Sequence, residues 1–406
     1  MIKFRKEHQN RQYSLLLGFV LALGYYAKAV FFPLAVALLA VLTAVEMRQR
    51  RRVANAIAAA LAFFTISGPW MLALSLSKGR FTFGDSGLLN YAWYVNGVCQ
   101  HVHWQGDPPG FGLPLHPTEQ LSAHPKIYAF ARPVGGTYPP WFDPSYWYEG
   151  VRPRFILTQQ MARSAHNLII LLLVAVPILL AVAAMVATRN WSWRIDCKAL
   201  RNQWPLLFLA ALGLVFYLLV LVLRRYIAPF SMLFWICLLS SVCVRKKERS
   251  EAANWKIASA VVVPIFVFVA GSALNQLQRA ASDWLREGPH PHWTAAQALM
   301  RLGVKEGSLV AYLGYGAESY WARLAHARIV AEAYDGTADR DKKRDFSSAG
   351  RTEELFTRDG LLKQRVKDLF LKTGAVAVVS RNVPSFVARK GWHRLGRTNY
   401  YAYLLR

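Results

Sequence analysis

Three basic residues stand at the edges of long apolar stretches in this 406-residue chain. Lys28 interrupts the first apolar stretch, and Arg224 and Arg225 separate two later ones. A charged side chain at such a position is retained either for a function or because it reaches out to polar headgroups. Arginine can also hold a phosphate through two parallel hydrogen bonds. These residues therefore predict a site for a lipid phosphate, with headgroup contact as the alternative.

Carboxylates that could act as a general base lie in the polar stretch 77–165. The candidates are Asp85, Asp107, Asp143 and Glu149. A general base must lie within hydrogen-bond reach of the proton that it removes, and spacing along the sequence does not show that reach. Acidic residues also serve as loop caps and ion-pair partners. The catalytic residue therefore stays open, with Asp143, Glu149 and Asp85 as the candidates.

The same stretch is dense with aromatic rings, which can stack on the apolar faces of sugars. The predicted sugar or acceptor contacts are Trp93, Tyr94, Trp141, Trp147 and Tyr148. Trp and Tyr side chains also collect at the headgroup level of membranes, or pack a loop against itself. For any single ring these two alternatives remain beside the sugar-binding interpretation.

The histidines and cysteines form no recognisable metal motif. His101 and His103 would share one face of a strand, with His116 and His124 further along. No neighbouring acid or cysteine completes a ligand set of known spacing. The sequence therefore predicts no cofactor, and a divalent metal remains only an alternative.

The composition divides the chain into two environments. Hydrophobic residues make up 54% of it and charged residues 18%, below the roughly 25% charged residues of soluble domains. Residues 276–406, by contrast, have the composition of a soluble domain. The formal net charge is +26, and many of the basic residues flank apolar runs. This pattern favours anionic membrane lipids as partners and argues against nucleic acid.

Apolar runs predict about seven helical membrane segments that would position these residues. The runs cover 13–27, 30–45, 53–76, 166–188, 205–223, 226–244 and 256–275. Basic residues cluster in the N-terminus and in three later loops, which is typical of the cytoplasmic side. We therefore predict a multi-pass protein of the inner (cytoplasmic) membrane, with a cytoplasmic N-terminus and an outer C-terminal domain.

The predicted domain organisation follows from these segments. Residues 1–76 and 166–275 hold membrane helices, 77–165 an outer aromatic loop, and 276–406 a small outer α/β domain. Within that domain, alternating strand-like and helix-like pieces predict a small sheet with some parallel pairing and a final hairpin over 393–405. Gly314-Tyr315-Gly316 lacks the third glycine of a dinucleotide loop and is predicted to be a tight strand-to-helix turn.

Three short motifs stand at the ends of predicted helices: residues 17–29 (LGFVLALGYYAKA), Gly68-Pro69-Trp70, and residues 225–229 (RYIAP). They resemble the LGLGYLAKA, GPW and RYLLP motifs of bacterial membrane glycosyltransferases of the GT-C fold. These enzymes are the relatives of protein O-mannosyltransferases and of the aminoarabinose transferase of lipid A. The resemblance covers about residues 13–275.

The resemblance implies transfer of a sugar from a polyprenyl-phosphate donor to a lipid, glycan or protein acceptor at the outer membrane face. Lys28 and Arg225 would then neutralise the departing lipid phosphate. The family carries its catalytic acid in a first outer loop, for which this sequence has no counterpart. We therefore expect a C-terminal part of a split or truncated enzyme that is inactive alone, or a relative with another role.

Two other functions stay open. The chain could be a non-catalytic membrane protein that binds glycan or lipid through its outer loop. It could also be a glycan ligase or polymerase that uses the His and Arg side chains of that loop.

Overall fold

The computed structural model describes residues 11–48, 53–100, 102–130, 144–187, 192–245, 251–287, 290–314, 316, 319–333, 355–357, 361–381, 383 and 390–405. The chain divides into two compact units. The first, here called the helical unit, comprises Met1–Asn96 and Pro153–Ala270, and the second, the sheet unit, comprises Gly97–Arg152 and Gly271–Arg406. Asp143, Trp141 and His101, which the sequence singled out, lie outside the described residues.

Long helices form the helical unit, and a helix overlaps each of the seven predicted apolar segments. The helices are α1 (Arg11–Ala27), α2 (Phe31–Arg48), α3 (Ala54–Lys78), α4 (Ser86–Tyr94), α5 (Leu157–Ala187), α6 (Cys197–Val220), α7 (Arg224–Ser240) and α8 (Glu251–Glu287), the last of which runs on into the sheet unit. The short helix α4 lies within the stretch predicted as loop. Helix α5 begins before the predicted residue 166, because polar residues precede its apolar part.

Among the residues that the structure describes, three helices are long and apolar enough to cross a membrane: α2, α3 and α6. The outward faces of the bundle are apolar as well, since Leu61, Leu72 and Met232 are all more than half exposed. A bundle that faces water would carry charged and polar residues there. The chain is therefore a largely helical membrane protein, as the sequence predicted.

Two glycines allow pairs of these helices to pack closely. A Cβ atom on Gly18 of α1 would overlap the carbonyl oxygen of Ala59 in α3. A Cβ atom on Gly213 of α6 would overlap the ring of Phe230 in α7. Small residues at such crossings let helix backbones approach each other where no hydrophobic force drives association.

A seven-stranded sheet forms the second unit. The strands are β1 (Glu119–Ala123), β2 (Lys126–Ala129), β5 (Leu309–Leu313), β6 (Arg328–Ala333), β7 (Ala377–Arg381), β8 (Trp392–Arg394) and β9 (Tyr400–Leu404). Their order is β1-β2-β6-β5-β7-β9-β8, and β5 pairs in parallel with both β6 and β7. The predicted α/β pattern, the parallel pairing and the final hairpin are thereby confirmed. The helices here are α9 (Pro291–Arg301), α10 (Tyr320–Leu324) and α11 (Gln364–Lys372), with a 3-10 turn at Pro144–Tyr148.

The stretch 77–165 is not a separate loop, which corrects the prediction. Its hairpin β1–β2 joins the sheet through antiparallel pairing of β2 with β6, in which Tyr128 lies opposite Glu332. The hairpin covers what would otherwise be an exposed edge of the sheet. Outside this sheet, β3 (Ser192–Ile195) and β4 (Val242–Arg245) form an antiparallel pair that the sequence did not predict.

Candidate anion-binding site

Lys28 lies in the short turn between α1 and α2 and reaches the beginning of α7. Its Nζ atom is 2.9 Å from the centroid of the Tyr226 ring and donates to the Tyr217 hydroxyl at 3.5 Å. Arg225 approaches the same ring, with its Cζ atom 5.0 Å from the centroid and an Nη2–H donating to the Tyr226 hydroxyl at 3.3 Å. The structure therefore brings two of the three predicted phosphate-binding residues, Lys28 and Arg225, together around one tyrosine.

The electrostatics of this cluster favour an anionic ligand. The pKa of Lys28 is lowered below its usual value. Burial of the side chain is the larger cause, and the positive charge of Arg225 is the smaller one. Arg224 and Arg225 are exposed and form the first residues of α7. Cations are disfavoured at a helix N-terminus, which carries a partial positive charge. Leu223 supplies no side-chain cap there, and a bound anion would relieve both features.

The break between α6 and α7 is held by polar side chains of α5. They donate to carbonyls in the last turn of α6: Gln160 Nε2 to Leu219 at 2.7 Å, Arg163 Nε to Val220 at 3.0 Å, and Asn167 Nδ2 to Leu218 at 2.9 Å. Asn167 is fully buried, and its Oδ1 accepts from the Val222 amide at 3.3 Å. These bonds satisfy carbonyls that a helix end leaves without partners. They therefore fix the point at which α7 begins and the position of its two arginines.

Asp85, a predicted candidate for the general base, lies at the same end of the helical unit as Lys28. The preceding residue, Gly84, packs against Ala29, where a Cβ atom would lie 3.1 Å from the Ala29 Cβ. The Asp85 carboxylate accepts from Arg80 Nη2 at 2.5 Å and from the Thr82 hydroxyl at 3.3 Å, and lies 3.9 Å from Lys78 Nζ. The carboxylate thus lies at the same end of the helical unit as Lys28, and it is ion-paired with Arg80 and Lys78.

Two of the predicted aromatic contacts, Trp93 and Tyr94, end helix α4 and are half-buried. The Tyr94 ring centroid lies 5.1 Å from the Arg163 guanidinium carbon. The contact connects Tyr94 to the same end of α6 that Lys28 reaches. Helix α4 is held against α5 by the Tyr91 hydroxyl, which donates to Gln160 Oε1 at 2.9 Å.

The other described aromatic candidates belong to the core of the sheet unit. Trp147 and Tyr148 are 1% and 3% exposed, and the Tyr148 hydroxyl donates to the Cys99 carbonyl at 2.6 Å. A ring with no exposed face packs a core and has no surface for a sugar. The structure therefore corrects the prediction for these two rings, whose aromatic type also suits core packing.

Glu149 is paired with a histidine of the same unit. Its Oε2 atom lies 2.9 Å from His116 Nε2, and about a third of each side chain is exposed. The His116 ring stacks on Tyr146 at a centroid distance of 4.2 Å. The pKa of the Tyr146 hydroxyl is raised, mainly by burial and to a smaller extent by the negative charge of Glu149. A partly exposed imidazole held by a carboxylate has the arrangement of a general base and its orienting partner.

His103 makes a buried contact with Glu332 that the sequence did not predict. Its Nε2 atom lies 2.7 Å from Glu332 Oε1, its Nδ1 is 2.8 Å from the Thr118 hydroxyl, and its ring stacks on Tyr128 at 4.4 Å. Glu332 also accepts the Gly316 amide at 2.9 Å. The Gly316 amide is therefore already hydrogen-bonded to a carboxylate of the chain itself. Within the described ranges, no group of three or more His, Cys, Asp or Glu side chains could hold a metal ion.

Comparison of the chain with protein-family models, with curated proteins and with solved structures finds no match. The residues themselves therefore carry the functional argument. At the break between α6 and α7 they combine clustered cations, an uncapped helix N-terminus and half-buried aromatic rings. Together these features can bind a phosphate and accept the charge of a phosphate leaving group.

Proposed function

We propose that this chain is a membrane glycosyltransferase of the GT-C type, or a part of one. It takes a sugar from a polyprenyl-phosphate donor and transfers it to a lipid, glycan or protein acceptor at the outer face of the inner membrane. The observation that carries this proposal is the cluster of Lys28 and Arg225 around Tyr226. Two cations from distant parts of the chain share one site at the ends of apolar helices, where charge is costly unless it is used.

In the proposed topology the seven long helices, α1 to α3 and α5 to α8, cross the membrane. The short helix α4 does not cross it, and the N-terminus is cytoplasmic. Contacts within the helical unit support this path. The turn at Lys28 meets the start of α7, and the connection after α3 packs against the α1–α2 end through stacking of Phe83 on Phe32 at 4.7 Å. Strands β3 and β4 pair the two connections that the topology assigns to the cytoplasm.

The sheet unit supports the same topology by its strand order. Strands β1 and β2 come from the connection between α3 and α5, whereas the remaining strands follow α8. Segments that share a sheet must lie on the same side of a membrane. An alternating path of seven crossings brings both segments to the outer side, together with Lys28 and the start of α7.

The proposed reaction assigns a role to each part of the cluster. An acceptor hydroxyl or amine attacks the sugar C1 atom, and the bond between C1 and the phosphate oxygen breaks. The electron pair leaves with the phosphate, whose charge Lys28 and Arg225 stabilise. The acceptor proton passes to a carboxylate, for which we propose Asp85, which belongs to the helical unit as Lys28 does. Trp93 and Tyr94 supply rings for the sugar face.

The test is turnover by the chain reconstituted in lipid nanodiscs with a panel of polyprenyl-phosphate sugars. We expect Arg225→Ala and Asp85→Asn to lower turnover, and Arg301→Ala on α9 to leave it unchanged. Lipid-phosphate binding without turnover of any donor would leave two readings, a part of such an enzyme that is inactive alone or a non-catalytic binding protein. Transfer at the wild-type rate by Arg225→Ala would contradict the proposal.

A second candidate function, glycan ligation or polymerisation, is favoured by the exposed pair of His116 and Glu149. In this reaction the imidazole, oriented by the carboxylate, removes the acceptor proton. His116→Gln would then abolish transfer, whereas Asp85→Asn would not. The two variants in the same turnover assay therefore distinguish the two candidate functions.

A further inference from the structure

We propose that a surface pocket of the sheet unit, here called the α9 pocket, binds an uncharged sugar residue of a glycan. The pocket has a volume of about 520 Å³ and is lined by His290, Pro291, His292, Trp293 and Leu324. These residues belong to the sheet unit, whereas the proposed phosphate site belongs to the helical unit. In the proposed function the bound glycan is the acceptor, and this assignment of the acceptor class rests on that function.

The size of the α9 pocket and its exposed rings suit a sugar. Sites for small molecules have volumes of roughly 300–1,000 Å³ and are lined mostly by apolar and aromatic side chains. Trp293, in the first turn of α9, is 50% exposed. Beside the pocket, Tyr320 is 57% exposed, and its ring meets the His292 ring edge-on at a centroid distance of 5.4 Å. Such rings offer a flat apolar surface on which the C–H face of a sugar can stack.

The charge of the α9 pocket matches an uncharged ligand. The chain as a whole carries a formal net charge of +26. Among the described residues that line the pocket, however, none is Lys, Arg, Asp or Glu. A site for an anion would place basic side chains against the ligand, as the site at Lys28 and Arg225 does. The α9 pocket therefore differs from the phosphate site in the kind of ligand that it can hold.

Polar groups at the α9 pocket distinguish a sugar from a lipid chain. The His290 side chain is exposed and does not cap the first turn of α9. The Trp293 amide belongs to that turn, whose amides have no acceptor within the helix. An acyl chain or an apolar protein surface would separate these groups from water without replacing their hydrogen bonds, which is unfavourable. The hydroxyl groups of a sugar can make those hydrogen bonds while its C–H face contacts the rings.

The sheet holds one wall of the α9 pocket in place. The His292 Nδ1 atom lies 3.4 Å from the Tyr400 hydroxyl, and the two ring centroids are 5.5 Å apart. Tyr400 is the first residue of β9 and is only 2% exposed. The His292 ring is thus packed against a buried residue of the sheet. A wall that is ordered before binding lowers the entropic cost of binding a ligand.

The experiment measures binding of two neutral disaccharides, mannobiose and diacetylchitobiose, to the full chain in nanodiscs by ligand-observed NMR. We expect at least one of them to bind, and an excess of inorganic phosphate not to displace it. Trp293→Ala should weaken this binding about tenfold or more, because a central aromatic contact often dominates an interface. Trp293→Phe keeps a ring and should retain part of the affinity. The matched control is Trp284→Ala, at an exposed tryptophan of α8 that does not line the pocket, and it should bind as the wild type does.

Three results would overturn the inference. The first is that the wild type binds neither disaccharide, as expected if lipid or a second copy of the chain covers the pocket. The second is binding that Trp293→Ala leaves unchanged, and the third is displacement of the sugar by inorganic phosphate. If Trp293→Ala does not fold, His290→Ala decides in its place, because it removes an exposed polar group of the pocket and should also weaken binding.

The fate of the proposed function is measured separately, by binding of polyprenyl phosphate to the same nanodiscs. Sugar binding without binding of polyprenyl phosphate would overturn the proposed function and leave the α9 pocket as a glycan-binding site. Binding of polyprenyl phosphate without sugar binding would overturn the α9 pocket and leave the phosphate site.

Discussion

Tyr226 connects residues that are far apart in the sequence, and the sequence predicted only part of this arrangement. Lys28, Arg224 and Arg225 were predictable because charged residues beside apolar runs are unusual. The meeting of Lys28 and Arg225 around one ring was not predictable, because it depends on how α1, α6 and α7 pack. Arg163 was missed for a related reason. Arg163 lies in a polar segment that the sequence predicted to be a loop. In the structure the polar residues of this segment cap α6.

The lowered pKa of Lys28 predicts a pH dependence of lipid-phosphate binding. An anion binds the protonated amine, so affinity should fall as pH rises through a pKa that lies below the usual value for lysine. Lys28→Arg keeps its charge over this range and should lose the alkaline decline. Binding measured in nanodiscs from neutral to alkaline pH tests this, and identical profiles for the two proteins would contradict it.

Stability without ligand should follow the opposite trend. Because the folded-state pKa of Lys28 is lowered, the charged form is disfavoured in the folded protein. This residue's contribution to stability therefore rises as pH increases through the lowered pKa.

The buried contact between His103 and Glu332 predicts that a conservative substitution of Glu332 lowers the stability of the protein. Glu332→Gln removes the carboxylate partner of His103 but keeps an acceptor for the Gly316 amide. Removing one partner of a buried polar contact lowers the free energy of unfolding by roughly 1–3 kcal/mol. Thermal unfolding of the purified chain measures the loss. The matched control is Glu306→Gln, whose pair with His326 is 3.7 Å long and highly exposed, and which should have no measurable effect.

At the scale of the elements, apolar runs and their basic flanks located the long helices because lipid-facing helices need long apolar stretches. The hairpin β1–β2 was not predicted because its strands are only five and four residues long, and because its stabilising partner, β6, lies much later in the chain. Helix α5 was placed too late because its first turns are polar. These failures share one cause, which is that tertiary contacts decide the conformation of weakly patterned segments.

Packing of α1 against α3 depends on the absence of a side chain at position 18. Gly18→Ala places a methyl group against the Ala59 carbonyl, and overpacking of this kind costs about 1–3 kcal/mol. Gly68→Ala on α3 is the control, because no atom lies within 4 Å of its Cβ position. Thermal unfolding in detergent should separate the two variants, and equal stability would contradict close contact between α1 and α3.

At the scale of the whole molecule, the proposed topology puts the sheet unit on the outer side of the membrane. Two reporters fused after Arg406, one active only in the cytoplasm and one only outside it, test this placement. We expect the cytoplasmic reporter to be silent and the outer reporter to be active, since basic loops stay inside. An active cytoplasmic reporter would contradict the topology and the outer position of Lys28.

The central claim is that the cluster at Lys28 and Arg225 binds a lipid phosphate. The most direct measurement is equilibrium binding of a polyprenyl phosphate to the chain in nanodiscs. Arg225→Ala and Lys28→Ala should each weaken binding about tenfold or more, because a charge-assisted contact contributes roughly 1.5–3 kcal/mol. Arg225→Lys should recover only part of the affinity, and Arg279→Ala, at an exposed position of α8, should bind as the wild type does. Unchanged binding in both the Arg225→Ala and Lys28→Ala variants would contradict the claim and leave headgroup contact as the role of these cations.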